Sequence, residues 1–324
     1  MGAGALGSVF GGLLAKTGHE VYLVGRDKHM RAIAEDGLYI TGLFGDARLH
    51  DIDTATSTGQ YAGMDFDLIL VTVKSYHTAD AAEAVAELTG PDTLILSLQN
   101  GLGNYETLAD NLGVDRILAG RVIFGARLPA PGDVEVTVYA EPVMIGSPQN
   151  LIDYERIEQI ASAFSSAGIP CEATREITQF IWAKLLYNCA LNPLSAVLQV
   201  PYGGLLTHEC SKAIMRRVVE EIFAVAQAEG IKLFWEEPKD YIDTLFGRLI
   251  PDTAAHHSSM SQDIQAGKRT EIGALNGAVV QLGRTHQIET PINEMLFCLI
   301  DARESWIDRP IRTEKPSDVP AAKA

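Results

Sequence analysis

Three polar side chains, Lys184, Asn188 and Asn192, stand in an otherwise apolar stretch of the chain. Their i, i+4, i+8 spacing stacks them on one helix face, with a drift of only about 40° per step. A partly desolvated lysine is a proton donor whose acidity its surroundings can tune, and aligned amides can hydrogen-bond a small polar ligand. Pro193 removes a backbone donor next to Asn192 and predicts a kink there. A solvated helix face is the plainer reading; the helix has little other polar surface for the stripe to join. The second chemical element opens the chain. Met1-Gly2-Ala3-Gly4-Ala5-Leu6-Gly7 is a G-x-G-x-x-G run leading into an apolar, helix-like segment. In a dinucleotide site the first Gly makes the tight turn and the second admits the pyrophosphate. The third lets the helix pack close to the sheet.

These groups need elements to position them. Residues 5 to 17 carry Leu6, Phe10, Leu13 and Leu14 at helical spacing, with Gly18 as the cap. Residues 20 to 25 read as a buried strand ending at Arg26, where an Arg accommodates the 2′-phosphate of NADP and an acidic residue would favour NAD. Arg26 and Lys28 favour NADP; the adjacent Asp27 could reverse this, and a solvated turn Arg is the plain alternative. Short strands are expected at 38–40 and 47–49. Near-continuous apolar runs at 66–73 and 93–98 flank an Ala-rich helix at 78–88, the pattern of a doubly wound parallel sheet. Ligands bind at the C-terminal edge of such sheets, which puts Lys74 and Asn100 where the nicotinamide half of a cofactor would lie. From 116 to 147 short alternating segments predict antiparallel structure appended to that sheet. A helix near 152–166 closes the first domain. From Thr178 the chain reads as helical, with a long helix expected to start at Thr270-Glu271 and a last one from Pro291 to about 308. The expected domains are 1–172 and 173–308, followed by a Pro-, Lys- and Ala-rich tail, 309–324, expected to be disordered.

The length of 324 residues suggests two domains, and 47% hydrophobic with 21% charged residues fits a well-packed protein. A formal net charge of −16 makes nucleic acid a poor partner. No run reaches membrane-spanning length and no signal-peptide pattern begins the chain, so a soluble cytoplasmic protein is expected. Cys171, Cys189, Cys210 and Cys298 form no C-x-x-C pair and read as reduced, mostly buried thiols. His256-His257 lack a third ligand at suitable spacing, so no metal is expected.

Taken together these residues resemble the ketopantoate reductase (2-dehydropantoate 2-reductase) family, from Gly2 to about Trp306. The matching elements are G-A-G-A-L-G at 2–7, V-K-S at 73–75, Q-N-G at 99–101, A-K-L-L-Y-N-C-A-L-N-P-L-S-A at 183–196, and S-M-S-Q-D through T-E-I at 259–272. The resemblance implies an α/β Rossmann domain followed by an all-α domain of the 6-phosphogluconate dehydrogenase C-terminal type. It implies NADPH as cofactor and reduction of 2-dehydropantoate to (R)-pantoate, a step toward pantothenate and coenzyme A, in the cleft between the domains. By position, Lys184 would be the general acid. Glu271 would hydrogen-bond the substrate hydroxyl, help place the ammonium and border the cofactor. Ser259 would hold the carboxylate, and Asn188 and Asn192 would contact substrate. Lys74 and Asn100 would lie between nicotinamide ribose and substrate, and Gly2, Ala3, Gly4, Ala5, Leu6, Gly7 and Arg26 would hold the rest of the cofactor. The resemblance leaves a homodimer open.

Two departures stand out. Family members commonly carry a further Asn in a C-P-N-G-like turn, where this chain has Val200-Pro201-Tyr202-Gly203; Tyr202 is expected at the pocket rim, altering its volume and polarity. The glycine fingerprint also requires a strand directly ahead of Gly2, where only Met1 stands, which suggests a start late by one short apolar strand. The alternatives are an NADP-dependent reductase of another 2-oxo acid, an opine-type dehydrogenase, or a non-catalytic NADP-binding sensor. A sensor would have no need of Lys184 and Glu271.

Overall fold

In β6 (Leu94–Ser97) the pleat sends Leu94 and Leu96 toward one helical layer and Ile95 toward the other, as a parallel strand buried on both faces requires. The computed structural model describes residues 1–307; the tail expected at 309–324, and the predicted end of the last helix at 308, lie outside them. On one face of the sheet pack α1 (Ala5–Lys16) and α5 (Tyr154–Ser166), through Phe10, Leu13 and Phe164. On the other pack α3 (Thr78–Ala86) and α4 (Asn104–Leu112), through Ala81, Ala82, Val85 and Leu108. The first unit is thus a doubly wound α/β fold.

The strands β5 (Leu68–Val71), β6 and β7 (Ile117–Arg127) run parallel, and β8 (Asp133–Gly146) returns antiparallel to β7. β8 also pairs in parallel with β2 (Leu38–Gly42) and with β9 (Cys171–Ala173); β3 (Ala47–Leu49) completes the edge antiparallel to β2. The segments expected as an antiparallel appendix are therefore two long strands in the middle of the order β3-β2-β8-β7-β6-β5. Register shifts near Arg121, Ile123 and Gly125 explain why they read as short pieces, since each bulge resets the alternation of faces.

β1 (Tyr22–Val24) and β4 (Asp53–Ala55) form a separate parallel pair, and α2 (Asp27–Asp36) follows β1. Among the described residues, Met1–Ala3 lie between β1 and β5: the Met1 amine donates to Leu70 O at 2.7 Å, Thr72 N donates to Met1 O at 2.9 Å, and Ala3 N donates to Val24 O at 2.8 Å. A cleft of about 540 Å³ beside them is flanked by Leu23, Leu68, Leu70 and Phe164. The strand expected ahead of Gly2 has no counterpart among the described residues.

The second unit is built around α6 (Ile177–Leu198), whose apolar faces meet α7 (Glu209–Ala228), α10 (Ser259–Gln265) and α12 (Pro291–Ser305). Trp182, Leu186, Leu191, Met215, Val218 and Tyr241 sit in its core. α8 (Pro238–Thr244) continues through a π turn into α9 (Ile250–Asp252), and α11 (Asn276–His286) completes the bundle. The helix expected to begin at Thr270-Glu271 begins regularly only at Asn276; Glu271 lies in a turn before it. The carbonyl of Ala274 is turned to accept Leu102 N at 2.8 Å, which draws this turn onto the β6 edge instead of into the helix. Cys171 and Cys189 are buried, whereas Cys210 and Cys298 are exposed, so the expectation of mostly buried thiols holds for half of them. Among the described residues no helix is long and apolar enough to cross a membrane.

Candidate active site

Lys184 sits half-buried on α6, facing the ends of β6 and β7. Its ammonium donates to Asn100 Oδ1 and to Val122 O, both at 2.6 Å. The Val122 carbonyl is free to accept because it lies in the bulge between Arg121 and Ile123, where the ladder with β8 is interrupted. An ammonium has three N–H groups, so the third remains for a ligand in the cleft. Burial lowers the Lys184 pKa from its ordinary 10.5 to about 8; Glu271 pulls it back up and Arg121 pushes it further down.

Asn100 connects this lysine to Glu271. Its amide oxygen accepts from Lys184, while its Nδ2 donates to Glu271 Oε2 at 3.1 Å. Glu271 Oε1 accepts the backbone N–H of Ser75 at 3.0 Å. Glu271 thus reaches the ammonium through Asn100, and the direct support of Lys184 comes from Asn100 and Val122. Asn104 Nδ2 fixes the Asn100 backbone by donating to its carbonyl at 2.9 Å. Lys74 Nζ pairs with Asp263 Oδ2 at 2.7 Å and with Glu271 Oε2 at 3.7 Å. Burial works against the Lys74 charge, but Glu271 and Asp263 outweigh it and its pKa is raised. The two units therefore meet through Lys74, Asn100, Lys184, Asp263 and Glu271. Asp263 lies in the S-M-S-Q-D element, and its pairing with Lys74, across 189 residues of sequence, is not visible in local spacing. Arg121 was also missed: it is buried on β7, paired with Glu141 at 2.7 Å and stacked on Phe180.

The polar stripe is real. Asn188 and Asn192 are both buried on the face of Lys184, and the Asn188 amide makes no hydrogen bond among the described residues. Pro193 leaves the Cys189 carbonyl without its helical donor, and Asn276 Nδ2 supplies one at 3.2 Å. Asn276 also donates to Asn293 Oδ1 at 3.0 Å, and Asn293 donates to the buried Glu221 carboxylate at 2.8 Å. That carboxylate caps the first turn of α12 by accepting Ile292 N and Asn293 N, each at 3.0 Å. The helix that carries the stripe, short of one internal hydrogen bond at Pro193, is thus held by a buried polar chain. Ser259 opens α10 and is exposed; its neighbour Ser258 is buried, caps α10 and donates to Asn192 O at 3.3 Å. Tyr202, expected at the pocket rim, is buried at 3% exposure and donates to Asn192 Oδ1 at 2.6 Å. An aromatic ring this large is better accommodated against Tyr187 and His256 than in water.

The glycine turn fits a pyrophosphate. Gly2 has φ +95°, and a Cβ there would meet Val73 N at 2.5 Å. A Cβ on Gly7 would lie 2.7 Å from Gly2 O and from Thr72 Oγ1. Gly4, the N-cap of α1, has only one atom near an added Cβ, at 3.9 Å, so its side is open to a ligand. Beyond it the first-turn amides of Ala5, Leu6 and Gly7 lack helical acceptors, and no acidic residue occupies that turn. Arg26 is exposed at the N-terminus of α2. Asp27 is engaged by Arg31 of the same helix at 2.7 Å.

Residues 1–150 match the family model described as ketopantoate reductase PanE/ApbA, and residues 176–304 match its C-terminal model. The 2-dehydropantoate 2-reductase of Aquifex aeolicus is 36% identical over 304 residues, covering 94% of this chain and 96% of its own. Among solved structures, a PanE/ApbA family ketopantoate reductase from Ralstonia eutropha superposes with a TM-score of 0.85 at 35% identity, covering 95% of this chain and 98% of its own. A D-mandelate dehydrogenase in complex with NADH and anilino(oxo)acetate gives a TM-score of 0.85 at 26% identity, covering 95% and 97%.

Proposed function

Because the chain belongs to the ketopantoate reductase family, we propose that it reduces the ketone of 2-dehydropantoate to (R)-pantoate, the step that serves pantothenate biosynthesis. It is an oxidoreductase acting on a CH–OH group, and its cofactor is a nicotinamide dinucleotide. We take that cofactor to be NADPH, since Arg26 is free at the β1 edge while Asp27 is occupied by Arg31. The glycine turn and α1 would hold the pyrophosphate, Arg26 the 2′-phosphate, and Lys74 and Asn100 the nicotinamide ribose side. When bound, the reduced nicotinamide supplies the hydride.

The observation that carries the reading is the geometry of Lys184. Hydride delivery leaves negative charge on the ketone oxygen, and a donor within hydrogen-bond reach must stabilise and then protonate it. Two of the ammonium's protons are fixed by Asn100 and Val122, which aims the third. With a pKa of about 8 the group is charged at neutral pH yet gives up its proton far more readily than a free lysine. Glu271, Asn100 and Ser75 hold the seam closed beside it. Ser259, at the open start of α10, would take the carboxylate, leaving Asn188 and Asn192 for the substrate's other oxygens. The supported division of labour is an α/β unit of residues 1–172 for the cofactor and a helical unit from 173 onward for the substrate.

Steady-state oxidation of NADPH with 2-dehydropantoate, compared with 2-oxoisovalerate and NADH, tests the proposal. The expected order is 2-dehydropantoate well ahead of 2-oxoisovalerate, and NADPH ahead of NADH. A clear preference for 2-oxoisovalerate would replace the substrate while keeping the chemistry.

A further inference from the structure

Tyr202 begins the 3-10 turn Tyr202–Leu206, and its backbone N donates to His256 O at 3.0 Å, followed by Gly203 N to Ala254 O at 2.9 Å. Its ring stands edge-on to Tyr187 at 5.6 Å between centroids and tilted against His256 at 5.2 Å. Tyr187 is held in turn: Thr253 gives its proton to Leu249 O at 2.7 Å, so the Tyr187 hydroxyl donates to Thr253 Oγ1 at 2.7 Å. The Tyr202 hydroxyl therefore cannot wander. A buried phenol proton needs an acceptor, and Asn192 Oδ1 at 2.6 Å is the acceptor it has among the described residues. Asn192 is gripped from the other side as well, because its backbone carbonyl accepts from Ser258.

An asparagine amide that can rotate offers a ligand either oxygen or nitrogen. Here the oxygen is taken, and among the described residues Nδ2 has no protein acceptor. We infer that Tyr202 is a positioning residue for substrate specificity: by holding Asn192 Oδ1, it commits Asn192 to donating, through Nδ2, to the substrate's terminal hydroxyl oxygen. This rests on the reductase reading above, in which Lys184 takes the ketone oxygen and Ser259 the carboxylate. The hydroxyl is then the remaining acceptor that a donor further along α6 can read. Tyr202 acts here through Asn192 without itself touching substrate.

The test compares 2-dehydropantoate with 2-oxo-3,3-dimethylbutanoate, which has the same carbon skeleton without the hydroxyl. Tyr202→Phe keeps the ring and removes only the hydroxyl. It should raise KM for 2-dehydropantoate about tenfold, with kcat changed less than about threefold, and leave kcat/KM for the deoxy acid within about twofold. Asn192→Leu should erase the same discrimination, and Tyr202→Phe added to it should do nothing more. Equal losses on both acids, or no loss on either, would overturn the inference. A parent enzyme that reduces neither acid would overturn the reductase reading instead.

Discussion

The amide oxygen of Asn100, just beyond β6, lies 2.6 Å from the Lys184 ammonium on α6, and with the equal bond to Val122 O it joins the two units at the proposed site. Asn100 belongs to the sheet edge that would present the cofactor, and Lys184 to the helix that would present the substrate. On the proposed roles, their contact would make the alignment of hydride and proton donors a property of the domain seam.

Replacing Lys184 with Ala should lower kcat by about 10²- to 10⁴-fold, the usual worth of a positioned general acid. NADPH affinity, followed by fluorescence titration, should change less than about threefold, because the glycine turn is untouched. An unimpaired variant would remove Lys184 from the chemistry.

On its proposed role, the acidity of Lys184 should set the pH profile. The donor must be protonated for reduction, so kcat/KM should be flat below pH 8 and fall about tenfold per unit above it. The stability effect has the opposite slope. The folded pKa is lowered, so between about 8 and 10.5 the unfolded chain binds the proton that the folded chain has released. Stability gained from this group therefore rises across that window, and its charging penalty is present in full below it. Urea unfolding of Lys184→Met should show that the pH 8 to 10.5 increment has disappeared.

Arg26→Ala should reduce the preference for NADPH over NADH by about tenfold or more, through KM for NADPH, because the proposed charge-assisted bond to phosphate would be lost. Asp27→Ala should alter that ratio little, since its carboxylate is engaged by Arg31. Initial rates with both dinucleotides decide this.

Asn276→Leu should destabilise the fold by about 1 to 3 kcal/mol in urea unfolding, the cost of leaving a buried acceptor unpaired. The Cys189 carbonyl, orphaned by Pro193, would lose its donor, and Asn293 would lose a partner. The helix turn next to Asn192 would loosen, and KM for the keto acid should rise with it.

Periodicity and motif carried the sequence reading a long way. The α1 helix, the buried strands ending near Lys74 and Asn100, and the face shared by Lys184, Asn188 and Asn192 follow from local spacing, and the structure has them. What was hidden depends on contacts distant in sequence. The start of α11 was misplaced because Ala274 bonds Leu102, 172 residues away, which no helix signal at Thr270-Glu271 could disclose. The strands β7 and β8 read as fragments because bulges break their alternation, and one of those bulges frees the Val122 carbonyl for Lys184. α2 and α4 are short amphipathic helices whose polar exposed faces left little contrast with loops. Tyr202 looked like a rim residue because sequence position says nothing about which way a turn folds its ring.

The ladders that join β5, β6 and β7 also decide which part of the α/β unit opens last. A strand paired on both edges and buried on both faces opens only near the free energy of global unfolding. Native-state hydrogen exchange should therefore find the amides of Leu94–Ser97 among the slowest of that unit. Asn100 follows three residues after this strand, so the amide that holds the Lys184 ammonium is anchored to the most persistent part of the sheet.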